Sequence, residues 1–491
     1  MRSLLLAVGL GAGPALVAAQ APVPAHLSLA DAIAIARQNS PAYRQALNDR
    51  GPVGWAVRNA WSSVFLPSFT ATGGIGYRGP GEQNFLTSSF SQDVSTLSSF
   101  YDLGLSWQLS GATLSQPGLQ KARQRATEAD IRGAENVLIT VVTEQYLTIL
   151  QADENLELAR KTLERNEEFL KLARAQFGVG QRTLIDVRRA QVARGQAEVA
   201  QLRAETVVSV EKLRLFEHLG VVPPTDVSVI VLTDSFTVEP PRWRLDELLA
   251  MADRENPSLN ALRARETAAD WGVRSVTSSY GPTVSLSAGW SGFTQKFTEL
   301  DPLIRGQQTL YGAQLAQCND DNVIRQSAGL PPNDCSVYVW GAEDEQALRA
   351  ANSDYPFAFT RQPFQAQLAV SLPIFTNLSR QRNVSETRAT RDDVTEEVRA
   401  RSLALRTGVS QAFLALDATH RAVAIQDTNR TAGREQLQLT TERYRVGSGT
   451  FFELIDAQVA ALRAEFDYIA AVYDYHRAVT VLEAAVGRRL R

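Results

Sequence analysis

The sequence predicts an α+β membrane protein in which short transmembrane β-strands alternate with very long coiled-coil α-helices. Three observations support this fold class: an internal duplication, segments of alternating hydrophobicity, and long segments with a heptad pattern. The 491 residues carry a formal net charge of −3, and 21% of the side chains are charged. This balance gives no sign of a basic nucleic-acid surface or of a disordered acidic tail.

One short stretch occurs twice, as QFGVGQRTLIDVRRAQV at 176–192 and as RYRVGSGTFFELIDAQV at 443–459. In each copy a Gly precedes a Thr, and a carboxylate follows that Thr three positions later. Gly favours a left-handed helix C-cap, Thr caps the next helix, and the carboxylate completes a capping box. Each copy therefore predicts the tip of a helical hairpin, at 178–183 and at 446–450.

The openings of the two halves also match, since LSLADAIAIARQNSPAY at 27–43 resembles WRLDELLAMADRENPSLN at 243–260. We interpret the chain as an internal duplication, with a first structural repeat at 20–235 and a second at 236–491.

Residues 1–19 have the pattern of a secretory signal peptide, with a basic residue before an apolar run. Val17 and Ala19 suit cleavage before Gln20; the alternative frame, which ends at Ala21, places Pro22 after the cut. Beyond this segment no apolar run is long enough for a transmembrane helix. We expect an exported protein that no helical span holds in a membrane.

Apolar residues alternate with polar residues or Gly in four segments, which is the pattern of outer-membrane β-strands. The alternative, the edge of a soluble sandwich, fits poorly with strands that long helices separate. We predict a long irregular insertion at about 294–363, on the extracellular side. The predicted strands lie at about 68–77, 102–110, 283–291 and 364–373.

The insertion holds Cys318 and Cys335, the two cysteines of the chain. In an oxidising compartment we expect them to form one disulfide, and two free thiols are the alternative. A metal site is less favoured because no His lies nearby, so no metal site is predicted.

The stretch from about 117 to 177 lacks internal Pro and predicts one long helix, and the second half repeats it from about 379 to 444. A seven-residue spacing of apolar side chains predicts coiled-coil packing. This spacing joins Leu156, Leu163, Leu170 and Phe177 before the first tip, and Ile185, Val192, Val199, Thr206 and Leu213 after it.

Four strands cannot close a barrel, yet every backbone polar group in lipid must be paired. The chain must therefore share a barrel with further copies of itself. Three copies give a 12-stranded barrel, so we predict a homotrimer; the sequence alone leaves a tetramer open.

Together the duplicated VGxxT tips, the paired openings and the order of strands and helices resemble the TolC-like outer-membrane efflux proteins. The resemblance implies a homotrimeric channel-tunnel, with a 12-stranded β-barrel in outer-membrane lipid and a coiled-coil α-helical barrel in the periplasm. It also implies an exit duct for a tripartite efflux pump or a type I secretion system. The implied partners are a periplasmic adaptor and an inner-membrane transporter of the RND, ABC or MFS type.

The resemblance further assigns roles to residues at the tips. Its periplasmic aperture corresponds to Glu453 and Asp456, which lie one helical turn apart, so that a trimer forms rings of carboxylates. The alternative is a capping Glu453 and a solvated Asp456. Asp186 and Tyr444 match other aperture contacts, whereas Gly449 stands where the family can use a clasp Arg, so any clasp is weaker or differently built. Adaptor contact is implied for Val179, Gly180, Thr183, Val446, Gly447 and Thr450.

No catalytic residue or cofactor is predicted, and we do not expect an enzyme. Gly74 to Gly79 matches GxGxxG, but no crossover helix follows it. A structural tether that spans the periplasm without conducting is the alternative function. The sequence does not reveal the cargo, which could be small molecules, a protein or a metal ion.

Overall fold

The computed structural model describes residues 24–85, 88–92, 94–353 and 355–490, and of residues 81–85 and 88–92 it describes only the backbone. The predicted signal peptide at 1–19 and its cleavage site lie outside the described residues.

Helices dominate the described chain, and they begin and end as follows: α1 Leu29–Asn39, α2 Pro41–Asn48, α3 Arg50–Phe65, α4 Gly111–Gly178, α5 Leu184–Leu219, α6 Leu245–Glu255, α7 Pro257–Thr277, α8 Asp301–Ser327, α9 Ala342–Ala351, α10 Ser379–Arg445 and α11 Phe451–Val486. The strands are β1 His26–Leu27, β2 Ser68–Arg78, β3 Gly81–Phe85, β4 Ser88–Gln92, β5 Thr96–Leu109, β6 Val231–Leu232, β7 Thr283–Phe297, β8 Thr360–Arg361 and β9 Gln365–Ser371.

The chain divides into two compact units. The helical unit comprises the described residues within 1–56, 118–270 and 388–491, and the sheet unit comprises those within 57–117 and 271–387. Each unit thus draws on both halves of the duplicated sequence.

The sheet unit is built on antiparallel strands in the order β2, β5, β7, with both β8 and β9 paired to β7. The predicted alternation places apolar residues on one face, since one row across the sheet runs through Phe69, Leu105, Ala288 and Ala366. The next row on that face joins Trp107, Leu286 and Leu368.

Two strands extend beyond their predicted ends. β5 begins at Thr96, and β7 continues to Phe297. Their outer parts pair with each other, from Thr96 opposite Phe297 to Tyr101 opposite Gly292. Local alternation is weak in these parts, and cross-strand hydrogen bonds supply the strand conformation instead.

The prediction of an irregular insertion at 294–363 is wrong for much of its length, because α8 and α9 lie within it. Pro302 stands in the first turn of α8, where a missing N–H breaks no helical hydrogen bond. Cys318 of α8 is joined to Cys335 by a disulfide, with Cα atoms 5.8 Å apart. Arg349 of α9 pairs with Asp301 at the start of α8, at 3.5 Å.

In the helical unit, one core surrounds the N-terminal segment. β1 pairs in parallel with β6, a pairing that the sequence did not predict. Tyr146 of α4 is fully buried there and donates a hydrogen bond to the Leu27 carbonyl at 2.9 Å, while Asp234 N donates to the Tyr146 hydroxyl at 3.3 Å. This phenol therefore connects α4 to β1 and to the residues that follow β6.

The four hairpin helices α4, α5, α10 and α11 have 68, 36, 67 and 36 residues. At 1.5 Å per residue, α4 is about 100 Å long. Of the predicted heptad positions in α4, Leu156 and Leu170 are buried, Leu163 is half-buried and Phe177 is exposed. In α5 they are exposed, at Ile185, Val192, Val199 and Leu213. The predicted seam of α5 is thus not covered by its own chain. None of the described helices is both long enough and apolar enough to cross a membrane.

Candidate functional site at the hairpin tips

The first tip connects α4 to α5 with the predicted capping chemistry. Gly180 adopts a left-handed conformation with φ of 80°, and its N–H donates to the Phe177 carbonyl at 2.9 Å. The Thr183 hydroxyl accepts from Asp186 N, and the Asp186 carboxylate accepts from Thr183 N at 3.2 Å. One residue that favours positive φ and one capping box therefore reverse the chain.

The second tip repeats this geometry between α10 and α11. Gly447 has φ of 81°, and its N–H donates to the Tyr444 carbonyl at 3.2 Å. The Thr450 hydroxyl accepts from Glu453 N, and the Glu453 carboxylate accepts from Thr450 N at 3.0 Å. The capping boxes predicted at both tips are present.

Arg182 connects the two tips. Its Nη2 donates to the Gly449 carbonyl at 2.8 Å and to the Tyr444 carbonyl at 3.3 Å. Its Nε lies 3.4 Å from Gln176 Oε1, and the Gln176 amide donates in turn to the Arg445 carbonyl at 3.4 Å. A single guanidinium thus binds two backbone carbonyls at the end of α10 and in the second tip, where the helical hydrogen-bond ladder has ended.

Tyr444 lies beneath this guanidinium. The Arg182 Cζ atom is 4.5 Å from the centre of its ring, and the ring of Phe451 packs against it edge-on at 5.8 Å. Tyr444 is fully buried, and its hydroxyl has no hydrogen-bond partner among the described residues. Burial raises the pKa of this phenol, and nearby Asp186 raises it further, whereas the Arg182 cation acts in the opposite direction. The phenol is neutral at physiological pH.

Asp186 and Tyr444, which the resemblance matched to aperture contacts, make different contacts at the tips. The Asp186 carboxylate accepts from the backbone and hydroxyl of Thr183 within its own tip. Tyr444 contributes its ring face and its backbone carbonyl to Arg182. Sequence reasoning missed Arg182, although it stands at the position of the first tip that matches Gly449 of the second.

The aperture candidates Glu453 and Asp456 are both exposed on the first turns of α11. Glu453 caps the helix, and its carboxylate lies 3.9 Å from the Arg443 guanidinium. Asp456 follows by three residues and shares the face of Glu453. The capping role of Glu453 leaves its carboxylate accessible, so capping and a charged aperture are compatible.

The six residues predicted to contact an adaptor are all exposed: Val179, Gly180, Thr183, Val446, Gly447 and Thr450. An apolar groove of about 530 Å³ lies beside them, between the first turns of α5 and α11. Two arginines, Arg188 and Arg189, line it together with Leu184, Ile185, Val192, Ala193, Gln196, Phe451, Phe452 and Ile455. The sequence signal for this groove was the apolar run that follows each capping Thr.

The sheet unit and the paired hairpins define a class of protein, the outer-membrane channels that extend into the periplasm. The chain matches the family model described as outer membrane efflux protein over residues 32–221 and 346–488. It belongs to this family.

Individual relatives agree with this assignment. The chain is 22% identical to outer membrane protein TolC of Vibrio cholerae over 471 residues, which covers 94% of this chain and 90% of that protein. Two solved structures show the same fold. The outer membrane protein VceC of Vibrio cholerae has a TM-score of 0.65 at 15% identity, covering 94% of this chain and 97% of that one. The open state of the Neisseria gonorrhoeae MtrE outer membrane channel has a TM-score of 0.66 at 18% identity, covering 94% and 89%.

The predicted fold class is therefore confirmed as that of the α+β channel-tunnels. The protein is an outer-membrane efflux channel of a Gram-negative bacterium and extends into the periplasm; its family consists of channels and not of enzymes.

Proposed function

We propose that the protein is the homotrimeric exit duct of a tripartite efflux pump, and that it is gated at the periplasmic hairpin tips. The observation that carries this proposal is the arrangement of the second tip. Arg182 fixes it from the first tip, while Glu453 and Asp456 remain exposed on one face of α11. Three such pairs around a common axis form rings of carboxylates, which attract cations and disfavour anions.

The sheet supports the proposed trimer. Among the described residues, β2 pairs only with β5, and β9 pairs only with β7, so both are edge strands. Outer-membrane strands need a partner on each side, because lipid supplies no hydrogen bonds. Three copies, each contributing β2, β5, β7 and β9, close a 12-stranded barrel of even strand number.

The groove beside the tips is the proposed contact for a periplasmic adaptor. Exposed Phe452 and Ile185 offer apolar surface, and Arg188 and Arg189 offer positive charge at its rim. An amphipathic helical hairpin with acidic flanks matches this combination. The adaptor in turn links the duct to an inner-membrane transporter of the RND, ABC or MFS type. The family description favours efflux over type I secretion.

A passive structural tether is the competing function, and cell permeability separates the two. In a Gram-negative host that lacks its own efflux ducts, we expect the Glu453→Ala/Asp456→Ala variant to sensitise cells to vancomycin, a drug too large for ordinary porins. Glu442→Ala is the matched control, because Glu442 is an exposed carboxylate on α10 that pairs with Arg445. If strains that carry wild type, Glu453→Ala/Asp456→Ala and Glu442→Ala were equally sensitive to vancomycin, at equal amounts of protein in the outer membrane, this result would count against an aperture at Glu453 and Asp456.

A further inference from the structure

Two exposed apolar clusters flank the sheet, one beside each edge strand. The lead cluster, which precedes β2, consists of Trp61, Phe65 and Leu66, and Phe65 is 70% exposed. The exit cluster, which follows β9, consists of Ile374, Phe375 and Leu378, and Ile374 is 94% exposed. Clusters of large apolar side chains rarely stay in water without a partner.

Both clusters lie at the same end of the sheet. Ser68, the first residue of β2, is opposite Ser106 near the end of β5. At that end Leu109 of β5 is opposite Val284, and Thr283 of β7 is opposite Ser371, the last residue of β9. The start of β2 and the end of β9 therefore lie at the same end of the sheet, on its two outer edges, with Ser371 four residues beyond the row that joins Ser68 to Gln367.

Specific contacts fix the exit cluster in its exposed position. Arg380 is only 9% exposed; its Nη2 donates to the Pro373 carbonyl at 2.6 Å, and its guanidinium carbon lies 5.4 Å from the centre of the Tyr280 ring. Asn377 and Leu378 have φ of 49° and 59°, a left-handed conformation that is costly for residues other than Gly. The backbone therefore takes a strained path that leaves these apolar side chains uncovered.

The lead cluster is fixed as well. The rings of Trp61 and Phe65 are stacked, with centres 5.9 Å apart, and Trp107 Nε1 donates to the Val64 carbonyl at 3.1 Å. The second contact ties the end of α3 to β5.

At this end of the sheet the apolar side chains are concentrated beside the two edge strands. The residues that immediately follow β5 are Ser110, Gly111 and Ala112, and Gly281 and Pro282 immediately precede β7. A belt that faced only lipid would be expected to surround all four strands with large apolar side chains. The inner strands have single exposed side chains beside them, Leu114 after β5 and Tyr280 before β7, whereas three cluster beside each edge strand. This difference indicates a partner that meets the edges.

We propose that the lead cluster of one copy packs against the exit cluster of the next copy and seals the joint between subunits at this end of the sheet. This inference rests on the proposed trimer. Alternate strands of the sheet run in opposite directions, so β9 of one copy and β2 of the next meet antiparallel. Paired strands lie about 4.8 Å apart, which brings the end of β9 beside the start of β2 and the two clusters into contact.

Cysteine crosslinking in the full-length protein tests this contact. In Phe65→Cys/Ile374→Cys, a short bis-maleimide should produce covalent dimers and trimers on denaturing gels, whereas each single variant should not. The matched control is Phe65→Cys/Leu114→Cys, because Leu114 is 57% exposed but follows the inner strand β5. A crosslink within one chain leaves the mass unchanged, so only a joint between copies gives the ladder.

Light scattering of the same samples tests the trimer separately from the contact between the two clusters. If light scattering shows a trimer but Phe65→Cys/Ile374→Cys gives no crosslinked ladder, the proposed seal is wrong and the proposed trimer is not. In that case we would expect a fluorophore on the thiol of the Ile374→Cys variant to be quenched by brominated phosphatidylcholine, which would assign the exit cluster to lipid. A monomer in light scattering overturns the proposed duct and the seal together. A trimer that gives the ladder, with the same fluorophore protected from the brominated lipid, is the expected result.

Discussion

Arg182 of the first hairpin tip donates a hydrogen bond to the carbonyl of Gly449 in the second tip, at 2.8 Å. The two residues occupy matching positions of the duplicated sequence. At Gly449 an added Cβ would lie 3.2 Å from Tyr444 N and 3.3 Å from Arg443 Cβ, so a side chain here would require its neighbours to shift by a few tenths of an ångström. The first tip therefore supplies the Arg182 guanidinium, and the second tip supplies the Gly449 carbonyl and has no side chain at that position.

Loss of Arg182 should loosen the tips. Arg182→Ala removes charge-assisted hydrogen bonds that contribute about 2 kcal/mol, and we expect faster hydrogen exchange at residues 443–453. If the tips gate the duct, its conductance should also rise. Arg188→Ala is the control, since Arg188 is exposed and bonds to Gln191 on its own helix. Identical exchange in the two variants would remove Arg182 from any role in holding the tips.

The capping threonines should stabilise the tips locally. Thr183→Ala and Thr450→Ala each remove a helix cap worth about 1 kcal/mol. We expect increased exchange in the first turn of α5 or α11, with little change elsewhere. Thr206→Ala is the control, because its hydroxyl bonds to the Leu202 carbonyl in the exposed middle of α5. If Thr206→Ala loosened the tips equally, the capping account would fail.

The sequence predicted these tips because their chemistry is local. Gly, Thr and a carboxylate fall within a few positions, and each has its own conformational preference. The Arg182 contact escaped prediction because it joins distant segments and lies where the two copies differ, whereas the comparison of copies highlighted what they share.

The sheet shows the same limit. Alternation located the four main strands. The parts of β5 and β7 that it missed, at 96–101 and 292–297, depend on cross-strand pairing. Helix α8 was missed because Asn, Asp and Gly suggested a loop, while its stability draws on contacts of Cys318 and Asp301 with distant residues. The groove, the lead cluster and the exit cluster could not be predicted from the sequence, because they depend on which side chains the folded chain leaves uncovered.

Tyr146 should make the helical unit sensitive to alkaline pH. Burial raises its pKa to about 12, above its ordinary value of about 10. The folded state therefore holds this proton more tightly than the unfolded state. The resulting stability is fully present below about pH 10 and is lost as the pH rises through about 12.

Thermal unfolding of wild type and Tyr146→Phe checks this sign. At about pH 8 the variant should be less stable by roughly 1–2 kcal/mol, because the Leu27 carbonyl and the Asp234 N–H each lose a hydrogen bond to the phenol. The difference should shrink between about pH 10 and pH 12. A gap that stays constant over this range would show that Tyr146 does not titrate with folding.

The disulfide should stabilise the insertion and little else. A bridge closing a loop of this size contributes on the order of 3 kcal/mol. We expect Cys318→Ser/Cys335→Ser to be cleaved faster by protease between 318 and 335, at an unchanged melting temperature of the helical unit. Wild type treated with reductant should behave alike. A fall in the melting temperature would mean that the insertion supports the helical unit too.

Single-channel recording in a planar bilayer tests the duct most directly. We predict a small, cation-selective conductance for the purified wild-type trimer, and a larger conductance with weaker cation selectivity for Glu453→Ala/Asp456→Ala. Glu442→Ala should show the same conductance and cation selectivity as wild type. A folded trimer that conducts in none of these forms would contradict the duct and leave the protein a tether.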